Sequence, residues 1–286
     1  MADTAASTAG STRPQRWFDA HLDLAYMALN GRDMHAAPAH AGGPDLPAGV
    51  TLASLAAGHV RGALATIFTE SDGRDAVGYP ADDPDAAHAA GLAQLQVYQT
   101  WRTSGRVQFL NEGLSPVDTP GFSIGILMEC ADPIRSPAEA AWWHEQGVVA
   151  VGLAWARGSR YADGNSELSA ARGRGITGVG RELIAELDRI GIVHDASHLS
   201  DRAFDDLMST AKGRIIASHS NCRALIDVPE SPTNQRHLTD DQIRAIGERG
   251  GVIGINLFSP FLIRGGVRSR RASLAEVCDH IDRTAE

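Results

Sequence analysis

The feature that most constrains the fold of this 286-residue chain is an alternation of short, β-rich apolar runs with longer segments of helical periodicity. Each apolar run ends in polar residues before the helical segment begins. This alternation predicts parallel strands joined by helical crossovers, which defines an α/β fold class. Seven strands are predicted, at residues 17–23, 60–69, 122–129, 148–153, 192–195, 214–219 and 252–257.

Capping residues mark the expected ends of the helices. Residues 180–190 and 200–211 carry apolar side chains at helical spacing, and Gly191 and Gly213 are expected to end these two helices. Three further helix starts have a Ser or Thr followed three residues later by Glu or Gln, as in a capping box. They are Ser136 with Glu139, Thr239 with Gln242, and Ser273 with Glu276.

Charge and composition limit the partners that the chain can have. A formal net charge of −9 without a basic run argues against nucleic acid and anionic membranes as partners. No stretch approaches the roughly 20 apolar residues that a transmembrane helix needs. Residues 1–16 lack the apolar core of a signal peptide and are expected to form a disordered tail before a single domain at 17–286. The 3 widely spaced cysteines fit a reducing compartment, so a cytoplasmic location is expected.

Residues with metal-binding chemistry lie at the ends of four predicted strands. They are His21 and Asp23 after the first strand, Glu129 after the third, His198 after the fifth and His219 after the sixth. Each of them alone is more often a structural residue or a helix cap. Together, imidazoles and carboxylates that converge on one barrel mouth would be costly without a cation. Three histidines and two carboxylates can hold two divalent ions if one carboxylate bridges them.

Most other histidines are interpreted as surface residues, because they lie in loops or on helices without partners at ligand spacing. These are His35, His40, His59, His88, His144 and His280. His194 precedes Asp195 directly and should face away from it on a strand, so a structural role is predicted.

Five short motifs, FDAHLD, the Glu of GILMEC, HDASH, ASHSNCRAL and QRHLTDD, occur in this order between residue 17 and the C-terminus. Their order resembles that of the membrane (renal-type) dipeptidase family of zinc peptidases. The resemblance implies a (β/α)8 TIM-type barrel with two zinc ions per chain. It assigns His21 and Asp23 to one zinc ion and His198 and His219 to the other, with Glu129 as the bridge.

The same resemblance assigns a substrate-binding role to Arg236 of QRHLTDD, which would grip the free carboxylate of a dipeptide. The alternative is a surface arginine near the helix that Thr239 caps.

The chain departs from the family pattern in three places. Glu129 is followed by Cys130 and Ala131 instead of Gly-Gly, and Cys130 is expected to be a buried thiol that faces away from Glu129. Trp155 stands where the family has a histidine that helps hold the carbonyl oxygen, and it is interpreted either as a substrate contact or as a packing residue of the pocket wall. The chain ends at Glu286, before the family's eighth strand and its proton-shuttling Asp, so an incomplete barrel is expected.

The expected function is zinc-dependent hydrolysis of the peptide bond of dipeptides by a metal-bridging hydroxide, with Glu129 as the catalytic bridge. A small peptide is the expected substrate, and a homodimer is an allowed assembly. One alternative is a related amidohydrolase, such as an N-acyl amino acid deacylase or a lactonase, which Trp155 keeps open. The other is a truncated homologue that binds metal without turnover. An assay for released amino acids would separate the second alternative from the enzymes.

Overall fold

The computed structural model describes residues 16–44, 46–110, 121–228 and 235–286. The predicted N-terminal tail therefore lies outside the described residues, apart from Arg16. The strands of the described part are β1 (Trp17–Leu22), β2 (Val60–Ile67), β3 (Glu70–Ser71), β4 (Gly78–Tyr79), β5 (Gln108–Phe109), β6 (Ser123–Met128), β7 (Val148–Gly152), β8 (Val193–Asp195) and β9 (Ile215–Ile216).

Helices connect the strands of the sheet, as the alternation predicts. They are α1 (Leu24–Leu29), α2 (Leu52–Ala57), α3 (Pro84–Thr103), α4 (Ala140–Glu145), α5 (Glu167–Ala170), α6 (Gly178–Ile190), α7 (Asp201–Thr210), α8 (Arg223–Ile226), α9 (Asp240–Glu248) and α10 (Leu274–Ala285). None of the helices in the described ranges combines the length and the apolarity that crossing a bilayer requires.

The main sheet is parallel and curls into part of a barrel. Its strand order is β1-β2-β6-β7-β8-β9, and β5 pairs with the first residues of β6. The order follows the chain, so the sheet winds in one direction as it does in a (β/α) barrel. The predicted fold class is confirmed, and the curl brings the carboxyl ends of the strands to one mouth.

Six of the seven predicted strands are present, but the prediction of a regular strand at 252–257 was wrong. Ile253 forms a single bridge with Ala217, and the N–H of Gly254 donates to the Ala217 carbonyl oxygen at 2.8 Å. Val252 and Leu257 remain 65% and 69% exposed. The segment therefore follows β9 on one side but lacks the continuous ladder that its apolar residues suggested.

Two of the three predicted capping boxes are confirmed, at Thr239 with Gln242 and at Ser273 with Glu276. At Ser136 the predicted helix start is confirmed, since a 3-10 turn begins at Pro137 with Ser136 as its N-cap, but the capping box is absent. The Ser136 side chain makes no capping bond, and the Glu139 carboxylate accepts the backbone N–H of Arg135 at 2.9 Å instead of that of Ser136.

The predicted helix ends are confirmed at one position and shifted at the other. Gly191 ends α6 in the left-handed conformation, with φ 81°, as predicted. α7 ends at Thr210, and the N–H of Gly213 instead donates to the Asp188 carboxylate at 2.8 Å.

Buried polar side chains fix the helices to the sheet. The hydroxyl of Tyr98 on α3 donates to the Thr66 carbonyl oxygen of β2 at 2.6 Å and accepts the Ala25 N–H of α1 at 3.1 Å. His280 on α10 is also buried and accepts the Cys222 N–H at 3.1 Å. The prediction of a surface position for His280 was wrong, because this face of α10 packs inward.

Candidate metal centre

The five residues predicted as metal ligands converge at the carboxyl ends of β1, β6, β8 and β9. Glu129 directly follows β6, and its two carboxylate oxygens face different groups. Oε1 lies 3.0 Å from His198 Nε2 and 3.4 Å from His219 Nε2. Oε2 lies 3.7 Å from His21 Nε2, which in turn lies 3.4 Å from Asp23 Oδ1. One carboxylate thus faces two pairs of side chains.

An irregularity in β1 directs His21 toward this centre. The pairing of β1 with β2 shifts register between Asp19 and Leu22, and the His21 N–H donates to Asp19 Oδ1 at 3.0 Å instead of to the ladder. Such bulges re-aim side chains beside functional sites. Asp23 follows the strand, accepts the hydroxyl of Thr66 at 2.5 Å, and stays 37% exposed.

A buried carboxylate and a hydroxyl orient two of the imidazoles. Ser218 Oγ donates to Asp195 Oδ2 at 2.5 Å, so its lone pairs accept from its other neighbours. Those neighbours are His219 Nδ1 at 2.8 Å and His21 Nδ1 at 3.3 Å. This network assigns a ring proton of both histidines to Nδ1 and directs Nε2 of each ring at Glu129.

The third imidazole, that of His198, is oriented from another segment. Its Nδ1 lies 3.0 Å from Asn165 Oδ1, and its Nε2 lies 3.0 Å from His219 Nε2. Two imidazole lone pairs and a carboxylate oxygen in such close contact repel one another unless a proton or a cation lies between them. Ligand atoms of His21, Glu129 and His219 all lie within 4.8 Å of one another. A set of imidazole and carboxylate donors suits zinc and related divalent ions, so the residues fit a metal centre.

Burial and neighbouring charges shift the pKa values of the centre in different directions. Burial lowers the pKa of His21, but the charges of Glu129 and Asp23 outweigh it and raise that pKa to about 9. Burial raises the pKa of Glu129 to about 7, although the charge of His21 opposes this shift. Burial and the positive charges of Arg236 and His21 hold the pKa of His198 and of His219 well below its usual value. His198 and His219 are therefore neutral, which is the form that binds metal.

Arg236 lies beside the metal centre and is buried, so the alternative of a surface arginine was wrong. Its guanidinium donates to the His219 carbonyl oxygen at 2.7 Å and to Ser220 Oγ at 3.1 Å, and it lies over the Phe261 ring at 5.5 Å. Burial lowers its pKa to about 10, which leaves it positively charged at neutral pH. A fixed positive charge therefore lies next to His219.

The sequence left two roles open for Trp155 and predicted a structural role for Cys130. The half-buried Trp155 ring is 5.2 Å from the Phe68 ring and 5.9 Å from that of His198, so it forms a wall beside the centre. Cys130 is buried, and its Sγ lies 3.7 Å from Asp132 Oδ2. The prediction of a buried thiol is confirmed.

Sequence reasoning missed three residues that contact the predicted ligands or their partners: Asp195, Ser218 and Asn165. Asp195 and Ser218 lie inside the HDASH and ASHS motifs at the same strand ends, so their position was a usable signal. Asn165 gave none, because it lies in an irregular loop. The structural interpretation of His194 is confirmed, since its Nε2 bonds Asp188 Oδ1 at 2.7 Å.

A cavity of about 760 Å³ lies between the loops that follow β2, β6 and β7. Arg157 and Arg174 line it, and both are paired, with Glu70 at 3.2 Å and with Asp163 at 2.8 Å. None of the five converging residues lines this cavity. The chemistry of the metal centre therefore lies elsewhere on this face of the sheet.

The chain is similar to known proteins over half to nearly all of its length. An uncharacterized protein encoded in the pqqA 5' region of Klebsiella pneumoniae is 34% identical over 143 residues, which is 49% of this chain and 51% of that protein. The chain thus spans about half the length of the curated relatives it matches. Among solved structures, the dipeptidase AC, a metallopeptidase of family M19, has a TM-score of 0.77 at 25% identity and covers 94% of this chain and 80% of its own.

A metallopeptidase from Rhodobacter sphaeroides, solved with a phosphinate mimic of the dipeptide L-Ala-D-Ala, has the same fold. Its TM-score is 0.77 at 23% identity, and the match covers 94% of this chain and 81% of that one. The family model described as membrane dipeptidase, peptidase family M19, matches residues 12–286. Because that match spans nearly the whole sequence and agrees with the fold, this chain belongs to the membrane dipeptidase family.

Proposed function

We propose that this chain hydrolyses the peptide bond of dipeptides with two zinc ions at the described centre. The observation that carries the proposal is the division of the Glu129 carboxylate, with Oε1 3.0 Å from His198 and Oε2 3.7 Å from His21. A carboxylate with a histidine group on each side is placed to bridge two ions. His21 with Asp23 would hold one ion, and His198 with His219 the other.

Bound zinc would acidify a water molecule toward neutral pH and polarise the scissile carbonyl. The protein's part is to keep the ligands in the form that binds the ions. Asp195 and Ser218 hold a ring proton of His21 and of His219 on Nδ1, so Nε2 is the atom of each ring that would bind an ion. Glu129 supplies negative charge between the histidines in a buried site, where electrostatic interactions are strong.

Arg236 is the proposed contact for the substrate's free carboxylate. Its bonds to the His219 carbonyl oxygen and to Ser220 fix the guanidinium beside the metal centre. A fixed guanidinium pairs well with a carboxylate, and its short distance from the metals would select short peptides. The phosphinate dipeptide mimic bound by the Rhodobacter sphaeroides metallopeptidase belongs to the same ligand class.

Hydrolysis of N-acyl amino acids is the second candidate function, and Trp155 favours it. The Trp155 and Phe68 rings form an uncharged aromatic wall beside His198. An apolar acyl group would pack against such a wall, and the substrate would keep the carboxylate that Arg236 binds. A free dipeptide differs from an N-acyl amino acid in carrying an ammonium group, which an uncharged aromatic wall does not favour.

The two candidates are tested with the zinc-loaded protein and matched substrates. L-Ala-D-Ala and N-acetyl-D-Ala have the same C-terminal D-alanine and differ in the group that acylates it, which is L-alanine in one and acetyl in the other. We expect zinc-dependent release of alanine from the dipeptide and much slower release from the acetylated compound. Faster release from N-acetyl-D-Ala would favour the second candidate. No release from either substrate at full metal content would leave a metal-binding protein without turnover. The homodimer and the cytoplasmic location stay predictions.

A further inference from the structure

His198 has a backbone conformation that residues other than glycine rarely adopt. Its φ is 66°, in the left-handed region, and its ring is buried at the mouth of the sheet. Non-glycine residues in this region are uncommon, and they persist where their surroundings hold them. His198 follows β8 by three residues, outside the regular ladder, so something other than the sheet must keep the ring in place.

One residue from a different loop contacts His198 at both its backbone and its ring. The Asn165 N–H donates to the His198 carbonyl oxygen at 2.8 Å, and Asn165 Oδ1 lies 3.0 Å from His198 Nδ1. A bridge between Gly164 and Leu199 continues this pairing by one residue on each side. The conformation and the rotation of the imidazole are therefore fixed by the same residue.

The loop that carries Asn165 is itself anchored. The Gly164 N–H donates to Ser169 Oγ at 2.8 Å, and the Ser166 N–H donates to the Ala156 carbonyl oxygen at 2.8 Å. A side chain at Gly164 would meet the Trp155 carbonyl oxygen at 1.9 Å, so the loop packs tightly against the segment after β7. Asn165 is thus held rigidly enough to orient another residue.

We infer that Asn165 is a positioning residue that holds His198 with its ring proton on Nδ1 and its Nε2 lone pair toward Glu129, ready to bind a divalent ion. This inference rests on the proposed function, because it needs a metal at the centre. The amide oxygen accepts the Nδ1 proton, and the Nε2 atom then faces Glu129 Oε1 at 3.0 Å. A histidine ligand that donates its second ring proton to a fixed acceptor binds metal more tightly.

Asn165→Ala tests the side-chain contact alone, because the variant keeps the backbone bond to His198. In the full chain, first freed of metal with a chelator, we expect one of the two zinc affinities to fall about 10–100-fold while the other stays unchanged. Isothermal titration gives the affinities, and the visible absorption of added cobalt reports the ligand geometry. Asn165→Asp keeps an acceptor at the same place and should retain the wild-type affinity.

Asn30→Ala is the matched control, since it also removes an asparagine amide, which donates to the Tyr26 carbonyl oxygen at 2.9 Å at the end of α1 instead of contacting His198. We expect it to bind zinc like the wild type. Equal losses in Asn30→Ala and Asn165→Ala, or wild-type affinity in a folded Asn165→Ala, would overturn the inference. So would a loss in Asn165→Asp as large as that in Asn165→Ala. Failure of the wild-type protein itself to bind zinc would instead count against the proposed function.

Discussion

The buried histidines of the metal centre and its surroundings are of two kinds, and the charge of Arg236 lowers the pKa of members of both. In the first kind, Nδ1 has a hydrogen-bond partner, which is Ser218 for His21 and His219 and Asn165 for His198. All three of these rings direct Nε2 at Glu129. His237 is only 1% exposed, yet within the described residues neither of its ring nitrogens has a hydrogen-bond partner, and it packs edge-on against Phe261 at 4.9 Å. Burial alone therefore does not distinguish the proposed ligands. They differ from His237 in having a hydrogen-bonded Nδ1 and a carboxylate facing Nε2.

The largest expected effect comes from removing the carboxylate that all three proposed ligand histidines face. Glu129→Ala should lose both ions and reduce hydrolysis to the level seen without protein, because Glu129 contacts both histidine groups. Metal analysis after dialysis measures the ratio, and His219→Ala should empty chiefly one site. The exposed pair of Glu139 with Arg135 offers a control in Glu139→Ala. A Glu129→Ala protein with an unchanged metal ratio would contradict the division into two kinds of histidine.

The next effect concerns Arg236, whose charge lowers the pKa of histidines of both kinds. Arg236→Ala should lower kcat/KM for free dipeptides by one to two powers of ten, since a charge-assisted bond contributes about 1.5–3 kcal/mol. Dipeptide amides lack the carboxylate and should lose much less. Measuring both substrates with one protein preparation separates substrate binding from any loss of packing against Phe261. Equal losses would mean that Arg236 does not bind the carboxylate.

A smaller effect is expected from the residue that holds Ser218. Asp195→Asn should weaken metal affinity about 10–100-fold, because Ser218 then no longer has a carboxylate to receive its proton. The matched control is Asp188→Asn, which removes the carboxylate partner of the structural His194. Zinc titration should show a loss only for Asp195→Asn. Similar behaviour of the two variants would remove the distinction between ligand histidines and structural ones.

His237 is expected to have the smallest effect on metal binding and activity, and its contribution is to the pH dependence of folding. Burial and the charge of Arg236 lower the pKa of His237 to about 3, from an ordinary value of 6.5. The unfolded chain therefore takes up a proton below about pH 6.5 that the folded chain refuses, so His237 costs stability as the pH falls from 6.5 toward 3. As the pH falls through this window, the free energy of unfolding should decrease less steeply in His237→Phe than in the wild type, by up to roughly 1.4 kcal/mol per pH unit.

Denaturant unfolding of metal-free wild type and His237→Phe between pH 7 and pH 4 measures this difference. The wild type should approach or fall below the variant as the pH decreases. Parallel curves would show that His237 is not the buried, unpartnered imidazole that the contrast requires.

The sequence allowed the prediction of the residues at strand ends, and the reason is geometric. Parallel strands that follow chain order bring their carboxyl ends together, so His21, Glu129 and His219 had to meet once their strands were located. Asn165 could not be found this way, because its contact joins loops 33 residues apart in the chain. The burial of His280 was missed because it depends on which face of α10 packs inward. The segment 252–257 has strand-like composition, but pairing decides whether a strand forms.

Ser218 has a consequence for how mutations act on the centre. One hydroxyl accepts from His21 and from His219, which face opposite oxygens of the Glu129 carboxylate. Any substitution that removes this hydroxyl is therefore pleiotropic, because it changes the hydrogen bonding of two imidazoles at once. Asp23 lies against His21 and Asn165 against His198, so a substitution at either of these positions acts first on a single imidazole.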